Sequence, residues 1–232
     1  MEPAVERAPR ILSRLYSAYP NATCALTHQD PWQLLVATIL SAQCTDKRVN
    51  MVTPELFARY PTPDAVAAAE QEELESIIHS TGFYHAKARH LRASASIIAE
   101  EHGGRVPDNM EELLKLPGVA RKTANVVLGT GYGIAVGVVV DTHVFRISRR
   151  LGLSAGRSPS IVERDLIRVV PRDEWIMYSH LLIHHGRAVC MARKPTCKGC
   201  TLTDLCPSAF FSESRTKDLH VSLKAAPSKG KD

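Results

Sequence analysis

The sequence predicts an all-α fold, and three observations carry that prediction. Apolar residues recur at helical spacing through most of the chain, proline and capping residues mark the starts of those segments, and glycines mark several of their ends. Only the valine-rich stretch Ile134–Val140 looks like a strand. It has no second segment to pair with and reads as an extended connector.

The elements follow in order. Asp30-Pro31 sets a capping carboxylate before a proline at the first helical position and opens an apolar helix through Ala42. Thr62-Pro63 repeats the signal. A helix over Gln71–His79 stops near Gly82, which is expected to be a left-handed cap. His85–His102 keeps helical spacing through Leu91, Ala95, Ile98 and Ala99 and ends at Gly103-Gly104. Asp108 is expected to cap a short helix to Lys115, and a new helix starts near Ala120. Further helices are predicted over Thr142–Leu151, Pro159–Val169 and Asp173–Arg187. Beyond Ser212 the chain turns polar and loses periodicity, as in a loose tail.

Composition limits the function classes. With 44% hydrophobic and 23% charged residues among 232, the chain is an ordinary globular protein, neither disordered nor fibrous. The longest apolar run falls far short of the ~20 residues that span a bilayer. Met1–Arg10 contains Glu2 and Glu6 and has no apolar core, unlike a secretory signal. These features predict a cytoplasmic bacterial protein, monomeric and without a membrane partner. Between Lys115 and Arg150, six cations stand against Asp141 alone, so this stretch accounts for the whole net charge of +5. Such a patch suits either a phosphate-binding surface or a solvated helical face.

Four of the six cysteines crowd together, Cys190, Cys197, Cys200 and Cys206, in the pattern C-x6-C-x2-C-x5-C. In an intracellular protein this crowding points to metal ligands rather than disulfides. Four thiolates satisfy either Zn²⁺ or a [4Fe–4S] cluster. Arg193, Lys194 and Lys198 would offset the charge of a thiolate-ligated centre.

The most informative stretch is L-P-G-V-A-R-K-T-A-N, Leu116 to Asn125. One helix ends at Leu116, Pro117-Gly118 forces a turn, and the next helix starts at once. The backbone N–H groups of the turn and the new helix terminus then point outward, where a DNA phosphate could sit without any base being read.

Leu116–Leu128 resembles the helix-hairpin-helix of the endonuclease III family of DNA glycosylases. V-D-T-H-V-F-R (Val140–Arg146) resembles that family's second signature, and the cysteine pattern is similar to its [4Fe–4S] loop. L-S-A-Q-C-T-D (Leu40–Asp46) and G-F-Y (Gly82–Tyr84) also fit, in the same order, and the likeness runs from about Arg10 to Phe211. One departure is Ala120, where the family usually has glycine. Alanine there is expected to lie in the ordinary helical region and to be tolerated.

The resemblance implies a two-lobed helix-hairpin-helix glycosylase fold with a [4Fe–4S] loop. Residues 24–135 would form a six-helix lobe, residues 1–23 and 136–211 the cluster lobe, and 212–232 a disordered tail. It implies a bifunctional glycosylase and abasic-site lyase of base excision repair, acting on double-stranded DNA with damaged bases, oxidised pyrimidines in particular, or abasic sites. Lys122 and Asp141 would face each other across a cleft between the lobes. Lys122 would attack the sugar to form a Schiff base ahead of β-elimination, and Asp141 would stabilise positive charge on the sugar. An amine must be neutral to attack; burial and the positive end of the following helix would favour that form, and Asp141 would oppose it. DNA contacts would come from Gln43, His85, Gly118, Ala120, Arg121, His143 and Lys194, with Gln43 and His85 filling the gap left by the extruded base. Cys190, Cys197, Cys200 and Cys206 would hold the cluster. Two rival readings are an adenine–mismatch glycosylase, disfavoured by Lys122 and the short tail after Cys206, and a non-catalytic DNA-binding protein with structural zinc.

Overall fold

A computed structural model describes residues 2–209; the tail expected over 212–232 lies outside the described residues. Among the described residues the secondary structure is helical, and Ile134–Val140 runs as a connector without ladder partners. No helix among them is long and apolar enough to cross a membrane. The chain divides into two compact units, Met1–Ala22 with the chain from Val140 onward, and Thr23–Val139.

The first unit opens with α1 (Ala4–Ala18), a helix absent from the sequence reading. Its signal was present: Arg7, Ala8, Ile11, Leu12 and Leu15 are buried at the i, i+4, i+8 spacing of one helical face.

The second unit carries α2 to α8. In α2 (Pro31–Leu40), Asp30 Oδ1 accepts from Gln33 N at 2.8 Å, as the sequence predicts. Leu34, Leu35 and Leu40 are fully buried, and the helix packs against α3, α6 and α8. α3 (Asp46–Arg59) is not among the predicted helices, and Pro54 lies inside it. Burial of Val49, Val52 and Leu56 on one face outweighs the hydrogen bond that the proline removes. α4 (Pro63–Ala67) is capped by Thr62, and α5 (Gln71–Ile78) runs into a 3₁₀ turn over His79–Thr81. Gly82 is not a left-handed cap: at φ 71°, ψ 157° it occupies a region open essentially to glycine alone, and the left-handed residue is Phe83. α6 (Tyr84–His102) ends at left-handed Gly103. α7 (Met110–Lys115) is capped by Asn109 rather than Asp108, since Asn109 is the residue with extended backbone whose Oδ1 reaches Glu112 N, at 3.0 Å. α8 (Arg121–Val126) continues into a π-helical turn, Val127–Gly131.

The chain then returns to the first unit. α9 (Thr142–Arg150), α10 (Pro159–Val169) and α11 (Trp175–Ala188) pack with α1 around Ile11, Leu15, Ile147, Leu166 and Leu181. The Arg7 side chain, 4% exposed, donates from Nη1 to Leu151 O at 2.7 Å and to Leu205 O at 2.8 Å. One guanidinium thus ties α1 to the end of α9 and to the residue before Cys206.

Candidate active site

The hairpin is built by α7, the turn Leu116–Ala120 and α8. Gly118 is left-handed at φ 79°, and a Cβ there would meet His90 Cβ, Nδ1 and Cγ at 3.0–3.1 Å, so both backbone and space demand glycine. Val119 is buried beneath the turn, and Ser94 Oγ donates to Pro117 O at 2.8 Å, fixing the hairpin to α6. Gly118, Ala120, Arg121 and Lys122 are exposed.

Ala120 corrects the sequence reading. It is not helical but extended, at φ −97°, ψ 169°, as the N-cap of α8 with no side chain to cap the first turn. Alanine is unstrained there because φ is negative. Glycine is better than alanine at an N-cap by about 0.5–1 kcal/mol but loses a similar amount through its greater freedom in the unfolded chain. Ala120→Gly is therefore expected to move stability by less than about 0.5 kcal/mol and to leave DNA affinity unchanged. Thermal melts and fluorescence anisotropy measured in parallel check this; tighter binding would show that the turn requires positive φ.

Lys122 stands in the first turn of α8 and is exposed, contrary to the expected burial.

Two loops of the same unit carry unusual backbone. Gln43 (φ 54°) and Phe83 (φ 50°) are the non-glycine residues with positive φ among those described, and both are exposed, Phe83 at 66%. Left-handed backbone is costly for such side chains and often marks functional sites. His85 is occupied differently. Its Nδ1 lies 2.6 Å from Glu75 Oε2, and its ring lies 4.2 Å from that of Tyr84. Phe83, an apolar side chain held out in water at the start of the Phe83–Ala86 segment, is a candidate for filling the gap beside His85.

In the other unit, Asp141 is the N-cap of α9, and its Oδ1 accepts from Val144 N at 2.7 Å. His143 is half-buried, and its Nδ1 packs against the position where Gly186 lacks a Cβ, so glycine permits the close approach of α9 and α11. Two arginines of the basic stretch serve the fold of their own unit. Arg146 Nη2 donates to Cys190 O at 2.9 Å, and the two Nη atoms of Arg150 donate to Met191 O and Ala192 O, each at 2.8 Å. These arginines brace the start of the cysteine loop. Lys194, like Arg193 and Lys198, is exposed.

The four cysteines line a cavity of about 440 Å³ together with His185 and Arg150. Arg150 Nη1 lies 3.3 Å from Cys190 Sγ, Leu202 N donates to Cys200 Sγ at 3.4 Å, and His185 Nε2 lies 3.6 Å from the same sulfur. Arg150 is thus the cation that touches a thiol, in the role the sequence reading gave to Arg193, Lys194 and Lys198. Burial, with neighbouring sulfurs adding to it, holds the Cys200 and Cys206 thiols above their ordinary range. Burial also pushes His185 down to about 4, so its ring is neutral at pH 7, and its Nδ1 lies 3.0 Å from Tyr19 Oη. Among the described residues, no three of His, Cys, Asp or Glu converge closely enough for a single metal ion.

Comparisons with known proteins place the chain. Residues 36–172 match the model of the HhH-GPD superfamily base excision DNA repair proteins. The chain is 57% identical over 207 residues to an endonuclease III of Synechocystis sp., an alignment covering 89% of this chain and 94% of that protein. Two solved structures match with a TM-score of 0.85 at 40% identity. One is a non-covalent endonuclease III–DNA complex, covering 94% of this chain and 100% of that one, and the other is a trapped endonuclease III–DNA covalent intermediate with an estranged adenine, covering 93% and 100%. A conformationally obligatory Gly118 turn, a helix starting at Arg121-Lys122, an Asp141-capped helix and a thiol-lined cavity, in this order and at this similarity, make the chain a member of the endonuclease III family of base excision repair enzymes, DNA glycosylases with abasic-site lyase activity.

Proposed function

We propose that the protein removes oxidised pyrimidines from double-stranded DNA and cuts the strand at the resulting abasic site, with Lys122 as nucleophile and Asp141 as the electrostatic partner. The observation that carries this reading is Lys122 itself: an exposed amine in the first turn of α8, directly after a glycine-dependent turn.

The Lys122 amine attacks C1′ of the deoxyribose as the glycosidic bond breaks and the base departs with the bonding pair. Loss of the amine proton and opening of the sugar give the Schiff base. Removal of a C2′ proton then expels the 3′ phosphate, and water later releases Lys122 from the imine. Asp141 stabilises the positive charge that develops on the sugar. Backbone N–H groups of Gly118 and Ala120 hold a DNA phosphate, with Arg121 adding charge. Gln43 offers an amide to the orphaned partner base, and Phe83, rather than His85, fills the stack. His143 and Lys194 follow as DNA contacts from the other unit.

The cysteine cavity suits a [4Fe–4S] cluster. A single Zn²⁺ at Zn–S distances of about 2.3 Å needs sulfurs in mutual contact. A cuboidal cluster interposes its own atoms between them, and four thiols lining one cavity of about 440 Å³ leave room for it. Cys190, Cys197, Cys200 and Cys206 would be its ligands, with the Arg150 cation and Leu202 N–H offsetting thiolate charge. When bound, the cluster supplies a covalent brace to this loop. Brown protein with broad visible absorption supports the cluster; colourless protein carrying zinc supports the rival.

Borohydride trapping on abasic-site duplex tests the central step. A covalent protein–DNA adduct is expected, and DNA binding without an adduct would favour a non-catalytic binder. Asp141→Asn should slow base release by about a hundredfold. Because asparagine caps as well as aspartate, the melting temperature should barely move. Lost stability with intact turnover would reduce Asp141 to a helix cap.

A further inference from the structure

We propose that Lys87 is a positioning residue whose ammonium fastens together the stems of the two loops that present Gln43 and Phe83 to DNA. The inference rests on the gap-filling reading given above. Lys87 lies in the first turns of α6 and is only 4% exposed. Its Nζ donates to Leu40 O at 2.8 Å and to Thr81 O at 2.9 Å. Leu40 is the last residue of α2, three positions before Gln43, and Thr81 ends the 3₁₀ turn two positions before Phe83. One side chain therefore grips both loops where they leave their helices. The backbone of Lys87 adds a third hold, since its N–H donates to Phe83 O at 3.0 Å.

A buried ammonium facing carbonyls is an expensive way to join two helix ends, because its desolvation is repaid only by neutral acceptors. Burial accordingly lowers its proton affinity. A methionine would fill the same space without that cost. What the lysine adds is geometry. Both acceptors are carbonyls at helix C-termini, which prefer a cation, and rigid short bonds to both hold the two chain exits in fixed register. The residues that follow are the left-handed pair, Gln43 and Phe83, whose backbone persists only while its surroundings define it. Lys87 is thus placed to set the spacing of the pair rather than to touch the reacting sugar.

The test uses the full-length protein and Lys87→Met, which keeps the stem and removes the donors. Two rates are compared in one duplex context: excision of thymine glycol, which requires the base to be extruded, and strand cleavage at a preformed abasic site, which has no base to extrude. Excision should fall about tenfold to a hundredfold, the cost of misplacing groups by an ångström, while abasic cleavage stays within about threefold. The fluorescence rise of 2-aminopurine opposite the lesion should shrink in parallel, and Lys87→Arg should recover part of the excision rate. An equal loss of both activities would mark Lys87 as merely structural, and undiminished excision would remove it from the mechanism; either result overturns the proposal. If Lys87→Met does not melt cooperatively, Lys87→Arg carries the test, with excision several-fold down and abasic cleavage unchanged as the expected result and parallel losses as the contrary one. Wild-type protein that neither excises thymine glycol nor traps on abasic DNA would instead refute the glycosylase reading itself and this inference with it.

Discussion

Lys122→Gln should abolish covalent trapping on abasic-site DNA and lower strand cleavage by at least about a thousandfold, the scale on which loss of a nucleophile is felt. The amide retains polarity and reach but has no amine to form an imine. The fold should not register the change. Lys122 is exposed in the first turn of α8, and lysine and glutamine have nearly equal helix propensity, so melting curves should superimpose. DNA affinity should fall only by the loss of one charge, about tenfold at most at moderate salt. Trapping that survives in this variant would place the nucleophile elsewhere. An affinity loss as large as the loss of cleavage would make Lys122 a phosphate ligand.

With the proposed cluster in the thiol cavity, Cys200→Ser should lose the iron and the visible absorption and loosen the Cys190–Cys206 loop, because a hydroxyl is a poor substitute for a thiolate ligand. Cys200 Sγ also accepts from Leu202 N at 3.4 Å and lies 3.6 Å from His185 Nε2, so its replacement disturbs the contacts of an imidazole that is only 2% exposed. Releasing a cross-linked loop of this length costs about 3 kcal/mol of chain entropy, or about 6–12 °C in melting temperature for a domain of this size. Collapse should stop short of the helices, since Arg7 still holds Leu205 and Arg150 still holds Met191 and Ala192. Limited proteolysis should therefore open the loop before the α9–α11 core. Metal-free protein with an intact loop and full DNA affinity would show that the centre braces nothing.

Much of the candidate site was legible because its signals are local. A cap and its acceptor lie three residues apart, so Asp30, Thr62 and Asp141 announce α2, α4 and α9 on their own. Leu116–Ala120 encodes the hairpin within five residues, and the C-x2-C pair encodes a tight turn of ligands. Local rules failed where two of them competed. Asp108 and Asn109 are equally good caps on paper, and in α3 a proline inside the helix competes with an apolar face that favours it.

By itself, then, the sequence determined the helical class, the hairpin, the thiol quartet and the candidate nucleophile, all of which rest on residues close together in the chain. Tertiary structure decided where the charges go. Arg146 and Arg150, which read as part of a basic patch, turn to carbonyls of the cysteine loop some forty residues away. Lys87, one cation among many in the sequence, is buried between Leu40 and Thr81, and His85, though as exposed as Phe83, is held by Glu75. The reason is physical. Desolvating a charge is tolerable only where acceptors from distant segments converge on it, and that convergence is a property of packed helices that no spacing along the chain records.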